Sequence, residues 1–452
     1  MSGVNAGQLA KLAAYPFVVV SWIDDAGYPI SVATDFQTDA IRGSVALRAP
    51  QGEAVAIPTD RQLSVLGSHI RPKPGEGYDE RRYLQLWGTA AADGDAQHLS
   101  FTPTRAWGWD ESEMPFFEYS ERSVPQSRRY LAQLSAEKGR LIRPRLSAGW
   151  LFLRTTRLPF LSATVVPVLL GIAIAARHGS FNWWLALLTL VGASLAHLGT
   201  NVANDIFDTL SGADAANVNP TQFSGGSRVL LYDLVTLRRL VALDVALFGG
   251  AVAIGLFLVW FTGSLTLLVI GIVGIVLGIG YTAPPLKLVY RGIGEFAVAI
   301  GFGPVMLLGA YVVQTRSLSW EAALASVPVA ILVALVLYVN EIPDRTADGA
   351  TGKRTLPVRL APEVVTASYL VAALAAFVVI VLGVLAGLLA PATLLALAVL
   401  PLVFRVHAGM RQHYTSPYAL MAVMGTNVSL HLRVGLLLLT GYLITIAMAA
   451  LR

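Results

Sequence analysis

The sequence predicts an all-α polytopic membrane domain of nine transmembrane helices with a soluble β-barrel at its N-terminus. Three observations predict it. The 452 residues are 55% apolar and only 13% charged, with mean hydropathy +0.61, far more apolar than a soluble chain of this length. About half of the 33 Lys and Arg residues precede residue 150, so the first third reads as soluble and the remainder as membrane-embedded. Two carboxylate clusters, around Asp208 and Asp344, close long apolar runs. Ionisable groups are costly beside hydrocarbon, so such clusters mark function.

The soluble domain is expected over 1–140. Phe17–Trp22, Ser44–Leu47 and Tyr83–Trp87 are β-rich runs, separated by Asp24-Asp25-Ala26-Gly27 and Pro72-Lys73-Pro74-Gly75. Short strands punctuated in this way predict a small barrel or sandwich. Ser123-Val124-Pro125-Gln126 reads as a capped helix start, with the helix running to about Lys138. A basic interfacial linker follows over 141–157, where Trp150 and Phe152 suit the membrane–water boundary.

From 158 to 452 the membrane domain divides into nine apolar segments: 158–177, 182–207, 238–262, 264–282, 293–314, 319–341, 364–388, 390–405 and 430–451. Each approaches or spans a hydrocarbon core of ~30 Å. With the N-terminal domain in the cytoplasm, the loops 208–238, 282–293, 341–363 and 405–430, counted with the flanking Arg239, carry eleven Lys and Arg, whereas the opposite face carries only Arg177, Arg316 and Arg452. That asymmetry predicts an inner-membrane protein with both carboxylate clusters facing the cytoplasm. The start of the chain shows no secretory signal. The absence of cysteine excludes disulfides and thiolate chemistry, and a net charge of only +5 gives no nucleic-acid footprint.

His197, Asn201, Asn204, Asp205 and Asp208 fall on one helical stripe, with Asp214 just beyond. Asn340, Asp344 and Asp348 repeat at four-residue spacing beside Glu341. Pro343 interrupts them, predicting that the sixth span stops near Glu341 and that a short helix begins at Pro343. Carboxylate and amide oxygens suit a hard cation such as Mg²⁺, which completes its shell with substrate phosphates. Arg228, Lys287, Arg291, Arg345, Lys353 and Arg354 are the cations available to a diphosphate, and Gly225-Gly226 would let backbone amides approach an anion. A lipid-chain diphosphate fits: its head meets metal and base, and its tail lies among apolar helices.

Asn204-Asp205-Ile206-Phe207-Asp208 with Asp214 resembles the first Asp-rich motif of the UbiA-type intramembrane prenyltransferases, and Asp344-x-x-x-Asp348 with Gly352-Lys353-Arg354-Thr355-Leu356 resembles their second. Phe223–Val229, Tyr281–Lys287 and Leu158-Pro159-Phe160-Leu161 are similar to further family segments. The gap from Asp208 to Asp214 is most similar to the dihydroxynaphthoate polyprenyltransferases of menaquinone synthesis. Asn340-Glu341 departs from their Asn-Asn.

The resemblance covers about 150–452 and implies nine spans and Mg²⁺ ions bridging a polyprenyl diphosphate. The metal set is Asn204, Asp205, Asp208, Asp214, Asp344 and Asp348, and the catalytic set Asp205, Asp208, Asp344, Asp348 and Lys353. The implied reaction transfers the isoprenyl chain to an aromatic quinone precursor. Rival expectations are a glycerol-phosphate lipid or tetrapyrrole acceptor, or a membrane transporter with a soluble regulatory domain. Residues 8–125, with Gly77–Gly88, resemble the flavin split barrels related to pyridoxamine phosphate oxidase. That likeness implies FMN or another flavin, with Arg61, Arg71, Arg81 and Arg82 as the candidates for its phosphate and no choice among them, and it allows a dimer through the barrel.

Overall fold

The computed structural model describes residues 4–48, 56–73, 77–92, 98–144 and 146–451. Pro74-Gly75, Arg145 and Arg452 lie outside these. The chain forms two compact units, Met1–Val124 and Pro125–Arg452.

The first unit opens with helix α1 (Ala6–Leu12), capped by Asn5, and continues into β1 (Val18–Ile23), β2 (Pro29–Thr34), β3 (Phe36–Asp39), β4 (Ser44–Arg48), β5 (Leu63–Lys73), β6 (Gly77–Ala92) and β7 (His98–Asp110). They form one antiparallel sheet in the order β2-β1-β5-β6-β7-β4-β3. Val18, Val20, Leu47, Val65, Leu86 and Phe101 supply its buried face. The expected barrel or sandwich is therefore an open half-barrel among the described residues: β2 and β3 end the sheet without pairing to each other. The long central strands curve at a bulge after Trp87. A Cβ on Gly88 would lie 2.0 Å from the Thr102 carbonyl oxygen, so this close backbone approach requires glycine.

Helix α2 (Phe116–Glu137) starts seven residues before the expected Ser123 cap. Ser123 instead donates its hydroxyl to the Ser120 carbonyl at 2.7 Å, and Pro125 sits inside the helix. The Ser–Pro pattern looks like a start because proline lacks an N–H wherever it sits. Helix α3 (Ala148–Thr156) is capped by Ser147 and leaves Trp150, Phe152 and Leu153 exposed.

The helices that follow are α4 (Ser162–Arg177), α5 (Trp183–Ser211), the single turn α6 (Ala213–Ala216), α7 (Leu237–Thr262), α8 (Leu265–Gly280), α9 (Gly294–Ile300), α10 (Met306–Thr315), α11 (Trp320–Asn340), α12 (Arg345–Ala350), α13 (Leu356–Arg359), α14 (Pro362–Leu385), α15 (Pro401–His413) and α16 (Leu420–Ala450). A π-turn, Gly301–Val305, joins α9 to α10, and a 3₁₀ segment, Pro391–Val399, leads into α15. Among the described residues seven helices are long and apolar enough to cross a membrane; α4 and α8 are apolar but shorter, at 16 residues each. The last long helix begins at Leu420 rather than 430, so the expected loop 405–430 contracts to the residues between His413 and Leu420. Arg405 and Arg411 become helical.

Helix α11 packs against α9, α14 and α16 at the centre of the bundle. Small residues allow the close crossings: a Cβ on Gly303 would lie 2.4 Å from that of Ala330, and one on Gly435 would lie 2.1 Å from Val166. As Pro343 predicted, α11 stops at Asn340, and α12 begins at Arg345 after a turn.

Candidate functional site: a carboxylate-rimmed apolar cavity

A cavity of about 560 Å³ runs among α5, α7, α8, the π-turn and α11. Leucine, isoleucine, valine and glycine line its depth, and Asn204, Asp208, Asp214, Asp344, Asp348 and Lys353 line its polar end.

The first motif ends α5. Asn204 and Asp208 lie one turn apart on the cavity side, with the Asn204 amide donating to Asp208 at 3.2 Å. Asp205 follows a different course. Fully buried, it accepts the Ser227 N–H at 2.6 Å on one oxygen and the Ser227 hydroxyl on the other. Asp205 thus clasps the loop between α6 and α7 and does not line the cavity.

Arg228 holds the same loop. In a left-handed conformation (φ 58°), it donates to the carbonyls of Gly225, Asp214 and Asn217. Its charge is used on backbone oxygens, as is that of Arg291 on Pro285 and of Arg345 on Ile342 and Tyr414. Lys287 lies 5.4 Å from the Tyr290 ring, and Arg354 is exposed with its N–H donated to the Tyr290 carbonyl. These four, Lys287, Arg291, Arg345 and Arg354, do not line the cavity.

The clasped loop reaches across to the second motif. Asp344 accepts the Asn217 amide at 2.7 Å and the Gly225 N–H at 2.9 Å. Lys353 links the two motifs: its ammonium lies 3.0 Å from Asp208 and 3.7 Å from Asp348. Three further residues belong here that the sequence reading did not single out. Tyr290 donates to Asp208 at 2.8 Å, Asn217 orients Asp344, and Arg157 lines the cavity from the end of the linker. Only Arg157 had a signal, its place closing a basic run.

Burial pushes the Asp214 carboxyl up to about 8, with Asp208 and Asp205 adding to the rise. Burial also raises Asp348, to about 7; Lys353 opposes the rise and the Asp344 and Asp208 charges reinforce it. Burial acts against the Lys353 ammonium, yet Asp208 and Asp348 together hold its pKa well above the ordinary lysine value. The rim thus gathers four carboxyl groups, Asp208, Asp214, Asp344 and Asp348, around one lysine, and burial and mutual repulsion favour the protonated form of Asp214 and Asp348.

These residues fit a hard divalent cation. The donors are all oxygen, and Asp348 Oδ2 is buried without a hydrogen-bond partner. Among the described residues no three His, Cys, Asp or Glu side chains converge into a ready-made cage. Mg²⁺ commonly takes one or two carboxylates and completes its shell with water and substrate phosphates, so the rim suits a cation arriving with a diphosphate.

The profile of the UbiA prenyltransferase family matches residues 164–428. The chain belongs to the UbiA prenyltransferase family. It is a multi-pass membrane prenyltransferase with an additional N-terminal sheet domain. Among relatives, this UbiA chain is 29% identical over 293 residues to the 2-carboxy-1,4-naphthoquinone phytyltransferase of Synechocystis sp., covering 65% of this chain and 92% of that one. It is 29% identical over 226 residues to the 1,4-dihydroxy-2-naphthoate octaprenyltransferase of Bacillus subtilis, covering 50% and 71%. Against the enzyme of that name from Mycobacterium tuberculosis it is 32% identical, covering 43% and 65%. The UbiA homolog from Aeropyrum pernix K1 aligns at TM-score 0.47 with 19% identity, covering 63% of this chain and 97% of that one. The UbiA homolog from Archaeoglobus fulgidus bound to GPP and Mg²⁺ aligns at 0.46 with 13% identity, covering 64% and 99%.

The described residues of the sheet give the expected flavin phosphate no support. Arg61 bonds Asp60 and Asp25, Arg71 bonds Asp79 and Glu80, and Arg81 bonds Glu111, while Arg82 lies over the Tyr15 ring. The cations named for that phosphate already face carboxylates or an aromatic ring.

Proposed function

We propose that this protein transfers an isoprenyl chain from a polyprenyl diphosphate to a naphthoate-type hydroxyaromatic acceptor in menaquinone-type quinone synthesis, in a Mg²⁺-dependent reaction. The observation that carries the reading is Lys353 spanning Asp208 and Asp348 at the polar end of an apolar cavity. The names of the naphthoate relatives support the acceptor class.

Asn204, Asp208, Asp214, Asp344 and Asp348 are the residues that would hold Mg²⁺, which when bound neutralises the diphosphate and favours its departure. Lys353 and Arg157 stand where they can meet phosphate oxygens as the allylic C–O bond breaks. Tyr290 and Asn204 orient Asp208, and Asn217 and Gly225 orient Asp344. Asp205 and Arg228 act through the loop they hold. The apolar walls take the isoprenyl tail and exclude the water that would otherwise capture an allylic cation.

In this reading α4 and α8 complete a nine-span bundle with the carboxylate rim and the sheet domain on the cytoplasmic side, where Mg²⁺ and diphosphates are available. The deciding experiment supplies the purified protein in lipid nanodiscs with 1,4-dihydroxy-2-naphthoate and polyprenyl diphosphates of several lengths. A prenylated naphthalene product, its new ring bond balanced by loss of H⁺ or CO₂ from the carbon attacked and its C–O bond cleavage by release of diphosphate, should form with Mg²⁺ and vanish in EDTA. Undiminished product in EDTA, or none with any chain length while diphosphate still binds, would refute the assignment.

A further inference from the structure

Glu341 is not used by the metal and diphosphate residues described above. It caps the C-terminus of α11, is 5% exposed and lines the cavity. No protein N–H or hydroxyl donates to either of its carboxylate oxygens. Behind it, Glu295 in the first turn of α9 is 6% exposed, and its carboxyl lies within hydrogen-bonding reach of Glu341. One Glu295 oxygen is anchored by the Leu356 N–H at 3.2 Å, and the other is unpartnered. Beside them the buried Asn340 carbonyl oxygen, also on the cavity wall, is unpartnered.

Buried polar atoms are costly when unpaired, and these oxygens share one property. Two carboxyls in contact share a proton, so the pair and the neighbouring amide oxygen still present acceptors to the cavity, and what satisfies them brings either a donor or a cation. A diphosphate brings acceptors. An acceptor's own carboxylate would be repelled. In the proposed reaction the component with O–H donors is the hydroxyaromatic.

We propose that Glu341 is the acceptor-recognition residue, its carboxylate taking the hydrogen bond of an aromatic hydroxyl, with Glu295 positioning it from behind. The inference rests on the function proposed above and assigns that reaction's second substrate to a subsite. A hydroxyl donating to a carboxylate forms a charge-assisted hydrogen bond and carries more electron density into its ring, which favours attack on an allylic carbon. A site built around such a bond also rejects analogues lacking the donor far more strongly than an apolar wall could.

The test compares the wild-type protein, Glu341→Gln and Glu341→Ala, using 1,4-dihydroxy-2-naphthoate and its two monomethyl ethers. Wild type should prefer the free acceptor over at least one ether in kcat/KM, and Glu341→Ala should shrink that preference by about tenfold or more. The KM for the diphosphate and the half-saturating Mg²⁺ should change much less than the ether preference, since the proposal gives Glu341 a contact with neither. An unchanged ether preference, or a loss accompanied by a matching shift in Mg²⁺ or diphosphate dependence, overturns the proposal; the latter would make Glu341 part of the metal site. Wild type alone supplies a check that needs no variant to fold. The free acceptor should raise its melting temperature more than the discriminated ether does, and equal shifts overturn the proposal. Absence of transfer to any naphthoate would refute the function itself, whereas transfer with a Glu341-independent ether preference would refute only this inference.

Discussion

Asp205 and Asp208 stand three residues apart on one helix, yet they hold different partners. Asp208 meets Lys353, Tyr290 and Asn204 at the cavity rim, and Asp205 is closed off by Ser227. Asp208→Asn should therefore lower turnover by two orders of magnitude or more in the folded fraction. Asp205→Asn should lower the melting temperature, because it leaves the Ser227 donors poorly matched at a buried site. Parallel nanodisc assays and thermal unfolding separate the two, and identical profiles would remove the distinction. The raised pKa values of Asp348 and Asp214 give a second expectation. A carboxyl whose folded pKa exceeds its unfolded value holds more protons when folded, so stability falls as pH rises from the ordinary carboxylate range toward about 8. Mg²⁺ must displace fewer protons at the upper end of that window. Stabilisation by Mg²⁺, measured as a melting-temperature shift in excess metal, should be larger at pH 8 than at pH 6.

At the scale of elements, the loop from Gly212 to Arg228 is the part on which the rim depends. Gly225 and Gly226 adopt φ of +78° and +73°, and a Cβ on Gly226 would lie 2.5 Å from both Asp214 carboxylate oxygens. Gly212 is also left-handed, at φ +83°, but has open space around it. Gly212→Ala should incur only the left-handed strain, roughly 1–2 kcal/mol, with near-normal activity in the folded fraction. Gly226→Ala adds a collision that must displace Asp214, so its turnover should fall at least about tenfold below that of Gly212→Ala. Equal activities would show that Asp214 has no part in the reaction. The π-turn Gly301–Val305 brings Phe302 within 4.7 Å of the His197 ring, whose Nδ1 pairs with Thr164 at 2.7 Å. His197 therefore acts as a packing and hydrogen-bonding residue of the cavity wall, the usual role of a lone histidine between membrane helices.

At the scale of the whole molecule, the membrane-unit residues assigned to metal, diphosphate and acceptor all follow Ser147. A chain beginning at Ser147 should insert and retain measurable prenyl transfer. Complete loss in a folded, monodisperse truncation would show that the sheet domain takes part in the reaction. Orientation is tested by single cysteines, since the native chain has none. A cysteine at Gly349, an exposed position on α12, should react with impermeant maleimide only in inside-out vesicles.

Hydrophobic run length, the two Asp motifs, the break near Pro343 and the division into a soluble and an apolar part were legible in the sequence by itself. Each is a local property: a run of apolar residues declares a helix in lipid, and proline acts on its immediate neighbours. The tertiary structure decided what depends on residues far apart in the chain. Lys353 reaches Asp208 across 145 positions, Gly225 reaches Asp344 across 119, and Glu295 stands behind Glu341. A helical stripe specifies a face to within a turn or so, which cannot separate Asp205 from Asp208, because the choice between them rests with Ser227 on another element. The same reason governs the basic residues. Lys, Arg and their spacing state that positive charge is available, but whether it meets a ligand or a backbone carbonyl, as at Arg228, is set by the carbonyls that folding brings within its reach.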